Sequence, residues 1–192
     1  MREPATPRAP STNAGANGPD AGAAASASEP PGAGGVQVVD ARGELTATEV
    51  RELTDLLTRA LGVLGATGEL RVRLVGDEEM SALHERHSGV PGTTDVLTFD
   101  LSEGAGAGER VLDADVVLCV DEARRRAAEL GHTPVRELLL YGVHAALHCL
   151  GHDDHDEAGA ARMHAEEDRV LTAIGVGAVY AARAKAGAEG AP

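Results

Sequence analysis

Aromatic side chains are scarce in this chain: there is no Trp, and Phe99, Tyr141 and Tyr180 are the only Phe and Tyr in 192 residues. A platform of aromatic rings on which unpaired bases stack is therefore not encoded. Cysteine is nearly missing too. Cys119 and Cys149 form no CxxC pair, which excludes a disulfide framework and a four-cysteine zinc site and agrees with a reducing compartment. Long apolar runs are absent, and none nears the roughly 20 residues that cross a bilayer, so no membrane partner and a cytoplasmic location are expected. Positive charge is in deficit: 17 Lys and Arg stand against 31 Asp and Glu, a formal charge of −14. Nucleic-acid affinity without sequence preference comes from Lys and Arg displacing counterions, so broad attraction to phosphate is excluded and no DNA partner is expected. The one dense basic run is Arg124, Arg125 and Arg126, either a solvated helix face or, with Arg136, the edge of a cleft.

Residues 1–35 are Ala, Gly, Pro and Ser with hardly a large apolar side chain, too little to offset the entropy of ordering. They are expected to be a disordered tail. They lack the continuous Leu, Ile or Val core of a signal peptide and the arginines of a transit peptide. Residues 36–178 are long enough for one domain with a proper core, and residues 179–192 are expected to form a flexible C-terminal tail.

Periodicity organises the rest. A short strand is expected at 37–39. A helix over 46–61 follows, capped by Thr46 or Thr48 and stopped by Gly62. Leu70, Val72 and Leu74 alternate with Arg71 and Arg73, the pattern of a strand with one wet face. Asp77 can cap a helix reaching 87, residues 88–93 are a Gly and Pro loop, and strands are expected at 95–101 and 111–120 around a turn at 104–108. A helix over 121–130 ends at Gly131. Thr133 caps the next, with Pro134 at its first position, and a last helix covers 158–174. The fold class is α+β, a small mixed β-sheet covered by helices with a central metal-binding helix. Leu139, Val143, Ala146, Leu147 and Leu150 would pack on one side of that helix.

Its end carries the chemistry. In HAALHCLGHDD, residues 144–154, His144 and His148 are four apart and project from one helix face, near enough to share an ion. Gly151 can take the left-handed conformation that ends a helix and lets the chain fold back. Asp154 then offers a carboxylate as third ligand, with His155 as the second choice. Three protein ligands leave one position open, the mark of a catalytic zinc site. One Zn2+ per chain is expected. His152, Asp153 and His155 could move protons or orient the ligands. The strand-borne Asp115 reads equally as a structural or a catalytic acid.

These blocks resemble the YbeY family of bacterial single-strand endoribonucleases and ribosomal RNA maturation factors, whose zinc motif has the form HGxLHLxGxDH. TTDVLTFD, residues 93–100, resembles the family's TDVLSF strand, and LDADVVLCV, residues 112–120, its LGDIxIS strand. Leu83, Glu137, Met163 and Glu166 fall where the family has similar residues, and the resemblance covers residues 40–175. It implies a zinc-dependent endoribonuclease acting on single-stranded RNA in 16S rRNA 3′-end maturation and ribosome quality control, with ribosomal RNA and the small ribosomal subunit as partners. The register implies His144, His148 and Asp154 as metal ligands. Ala145 replaces a family glycine, a change a helix tolerates. Ser88 stands where the family often has an arginine thought to act near the scissile phosphate. Arg86, two residues away, is the catalytic candidate, with Arg73 and Arg136 as alternatives.

Two rival functions remain. A zinc peptidase of the HExxH type needs a glutamate where this chain has Ala145, so its base is missing. A non-catalytic ribosome-assembly factor would use the metal only to fix the helix and turn.

Overall fold

The computed structural model describes residues 35–102 and 110–180. The expected tail over residues 1–34, the turn at 104–108 and residues 181–192 lie outside the described residues. Gly35, assigned to the tail, is the first residue of a strand.

In chain order the elements are β1 (Gly35–Val39), α1 (Ala47–Leu64), β2 (Thr67–Val75), α2 (Asp77–Ser88), β3 (Val96–Asp100), β4 (Val111–Cys119), α3 (Val120–Leu130), α4 (Pro134–Cys149) and α5 (Glu157–Ala173). The sheet order is β1-β2-β4-β3; β1, β2 and β4 run parallel, and β3 is antiparallel to β4. This is the small mixed sheet of an α+β fold.

Two local expectations are corrected. Gly62 does not stop α1; the helix continues to Leu64, and Gly65, at φ 64°, caps it. Leu64 is buried, so the extra turn places one more leucine in the core. Asp77 is not the N-cap of α2. Gly76 holds that place, and the Asp77 carboxylate receives both terminal nitrogens of Arg125 at 2.6 and 2.8 Å. At α1 the cap is Thr46, in a reciprocal box with Glu49.

Alternation in the strands sorts the two faces. Leu70, Val72 and Leu74 of β2 and Leu112, Ala114, Val116 and Leu118 of β4 join the core under α1 and α4. On the opposite face Arg71 of β2 reaches Asp113 and Asp115 of β4, each at 2.5 Å, and Glu69 at 2.9 Å. Asp115 is thus a structural partner of Arg71. A smaller cluster of Val75, Met80, Val117 and Cys119 lies under α2.

Helix α4 is central because almost all of it is apolar, and such a helix buries every face. Leu139, Val143, Ala146 and Leu147 are buried as expected, with Leu150 partly so, and Leu138, Leu140, Tyr141 and Ala145 are buried as well. Gly142 lets α1 come close: a Cβ there would sit 2.7 Å from Leu57 Cδ2. Val179 is buried, and Asp168 Oδ1 accepts the backbone N–H groups of Val179 and Tyr180.

The basic run is a paired helix face. Arg124 bonds to Asp121, Arg125 to Asp77 and Glu122, and Arg126 to Glu129.

Candidate metal centre

Thr133 caps α4 through Arg136 N–H, and Pro134 occupies the first turn, where its missing N–H costs nothing. From that start, Glu137, Tyr141, His144 and His148 fall along one stripe. At the other end Leu150 is the C-cap and Gly151, next in the turn, takes φ 87°. The N–H of Gly151 donates to His148 O at 2.9 Å and that of His152 to Leu147 O at 3.0 Å, so the chain reverses within two residues.

The reversal brings Asp154 back to the histidines. Its Oδ1 lies 3.6 Å from His148 Nε2 and its Oδ2 3.8 Å from His144 Nε2, and the two Nε2 atoms are 3.1 Å apart. Donors at bonds of about 2.0–2.2 Å around one tetrahedral ion would be separated by about 3.3–3.6 Å, so these three atoms are spaced to share one. All three side chains are about one-third exposed, which leaves a side open to a substrate.

The outer nitrogens decide the tautomers. His144 Nδ1 donates to Glu167 Oε1 at 2.8 Å, and His148 Nδ1 donates to the backbone carbonyl of His152 at 3.2 Å. Both Nε2 lone pairs therefore point into the same space. Two facing lone pairs 3.1 Å apart repel unless a cation lies between them, so the donor set fits a metal ion.

Burial alone would lower the pKa of His144; the hydrogen bond and charge of Glu167, helped by Asp154 and Asp95, outweigh it and leave the imidazole above its ordinary value. Glu167 is fully buried, and its Oε2 has no partner among the described residues. Its charge is thus directed at His144, which makes the imidazole a stronger donor to a metal.

His155 is turned away. Its ring pairs with Asp153, and both side chains are largely exposed. Asp153, Asp154 and His155 also lie close enough together to hold an ion, but Asp154 is the residue shared with the histidine pair. The turn is held from below by α5. Asp156 caps that helix by accepting Gly159 N–H at 2.6 Å, and a Cβ on Gly159 would fall 2.4 Å from Asp153 O.

Comparison with known proteins places the chain. The family profile described as endoribonuclease YbeY matches residues 38–175. The chain belongs to the YbeY family. The endoribonuclease YbeY of Macrococcus caseolyticus is 33% identical over 148 residues, 73% of this chain and 96% of that protein. That of Halorhodospira halophila is 40% identical over 121 residues, 62% of this chain and 79% of the relative. In fold, the solution structure of TM1509 from Thermotoga maritima is similar with a TM-score of 0.53 and 23% identity, over 72% of this chain and 88% of that one.

Of the candidate cations, Arg73 lies on the sheet face opposite the one that α4 covers, and the three differ in their commitments. Arg86 is exposed in the last turn of α2, with no ion-pair partner among the described residues. Arg73 pairs with Glu79, and Arg136 donates to the carbonyls of Gly177 and Ala178. No helix among the described residues is long and apolar enough to cross a membrane.

Of the two neighbouring acids in α5, the family resemblance points to Glu166 and not to Glu167. Glu166 faces outward to Arg169 at 2.6 Å. The signal was present in the buried stripe of α5, where Met163, Glu167, Val170 and Leu171 line one face and Glu167 is its one acid.

Proposed function

We propose that this protein is a zinc-dependent endoribonuclease that cuts single-stranded RNA in the cytoplasm, acting on ribosomal RNA at the small subunit in 16S rRNA 3′-end maturation and ribosome quality control. The observation that carries this reading is the convergence of His144 Nε2, His148 Nε2 and Asp154 on one half-open point, with each imidazole oriented from behind. The YbeY relatives, named as endoribonucleases, supply the substrate class.

His144, His148 and Asp154 would hold the ion, which when bound supplies a Lewis acid for a phosphoryl oxygen and acidifies water. Glu167 and the His152 carbonyl keep the two rings in register. Arg86, uncommitted and exposed, steadies the charge that develops on the phosphoryl oxygens. Arg73 and Arg136 are held by other partners and are poorer candidates.

A peptidase is disfavoured. Ala145 is fully buried at the position where a general base would stand, and Glu167 is buried behind His144 rather than facing the open side.

The test is cleavage of end-labelled single-stranded RNA and of the same sequence as a duplex, before and after chelation and with zinc restored. Cleavage confined to the single strand, abolished by chelator and recovered with zinc, is expected. Zinc bound stoichiometrically with no cleavage of any RNA would favour the assembly-factor reading.

A further inference from the structure

The stripe of α4 that ends in the two histidines begins in a second cavity. A space of about 390 Å³, within the range of small-ligand sites, opens beside Thr94, Asp95, Glu122, Glu137, Tyr141 and Tyr180. It adjoins the metal centre: Tyr141 lies one turn before His144 on the helix, and the charge of Asp95 acts on both rings.

Its chemistry is that of acceptors. Three carboxylates, from Asp95, Glu122 and Glu137, line it together with a threonine hydroxyl. Arg126, the one cation on the wall among the described residues, is tied to Glu129 at 2.6 Å. Such a site repels phosphate and accepts from N–H groups. Asp95 is fixed in place, because its Oδ1 receives Thr94 Oγ1 at 3.1 Å and Val96 N–H at 2.9 Å. Its Oδ2 has no hydrogen-bond partner among the described residues. Glu122 directs Oε2 to Arg125. Tyr180, in parallel contact with His164 at 3.8 Å between ring centres, adds an aromatic ring to the wall.

A group that is flat, uncharged and rich in N–H donors matches this lining. In RNA that is an unpaired base with an exocyclic amino group, and single-stranded RNA is read through such splayed bases, by stacking and by hydrogen bonds to their edges. We propose that this cavity holds one base of the bound RNA next to the metal centre, and that Asp95 and Glu122 select adenine, cytosine or guanine over uracil by accepting from the amino group. This rests on the proposed action on RNA. It adds sequence preference to a protein whose overall charge gives it little hold on the backbone.

The test is fluorescence anisotropy of the full chain with labelled octauridine and with octamers in which one uridine is replaced by A, C or G, cleavage being followed on the same samples. Replacement should tighten binding about fivefold or more, and Asp95→Asn or Glu122→Gln should reduce that gain to less than about twofold. Equal binding of all octamers by the wild type, or a preference that survives in both folded variants, would overturn the proposal. Cleavage without base preference would remove the pocket and leave the nuclease, whereas base-dependent binding without cleavage would do the reverse.

Discussion

Glu167 Oε1 accepts the Nδ1 proton of His144 at 2.8 Å from a fully buried position on α5. The contact ties α4 to the last helix, and it turns the His144 lone pair toward Asp154. Glu167→Gln keeps the shape and removes the charge. Zinc affinity, read by competition with a chromophoric chelator, should fall about tenfold with the fold retained by circular dichroism. Unchanged affinity would mean that the contact is only packing.

Gly159 and Gly62 should respond in opposite ways to alanine. At Gly159 the new Cβ meets the Asp153 carbonyl at 2.4 Å, so the turn carrying Asp154 must shift. Gly159→Ala should cost about 1–3 kcal/mol and weaken zinc binding without touching a ligand. Gly62 lies inside α1 with nothing within 4 Å of its Cβ position, and Gly62→Ala should stabilise by about 0.5–1 kcal/mol. Urea denaturation checks both.

Arg86→Ala should leave zinc stoichiometry intact and lower RNA cleavage by about 10²–10³. The same substitution at Arg73, which pairs with Glu79 on the sheet face, should cost far less. Steady-state rates on single-stranded RNA, with metal content measured on the same samples, separate the two positions.

Tyr141 predicts an alkaline limit. Burial, then the negative charge of Glu137, raises its phenol well above the ordinary value. A group whose pKa is raised by folding contributes stability that is complete below its unfolded pKa, about 10 for tyrosine, and is lost as pH rises toward the folded value. The stability difference between the wild type and Tyr141→Phe should therefore be constant up to about pH 9.5 and shrink above about pH 10. Denaturation midpoints from pH 8 to 11 would show it; a constant difference throughout would contradict it.

Much of the fold was legible from local pattern. The alternation of Leu70, Val72 and Leu74 marked β2, and Thr133 with Pro134 marked the start of α4. The four-residue spacing of the histidines and Gly151 outlined the turn that brings Asp154 back to them. What local pattern missed depends on tertiary contact. Gly62 and Gly65 are both plausible helix stops in isolation, and the burial of Leu64 decides for the second. Asp77 has the chemistry of a cap, but Arg125, 48 residues away, takes its carboxylate. Glu167 is one residue from Glu166, the acid that falls where the family has a similar residue, and only the docking of α5 against α4 shows which of the two faces His144.

The proposal on which the function rests is that His144, His148 and Asp154 hold one zinc ion that the reaction needs. It is tested most directly by elemental analysis of the wild type, Asp154→Ala and His155→Ala, with cleavage of single-stranded RNA assayed on the same samples. Near one zinc per chain is expected in the wild type and in His155→Ala, and loss of both zinc and cleavage in Asp154→Ala. Zinc and cleavage that survive in Asp154→Ala and disappear in His155→Ala would contradict it.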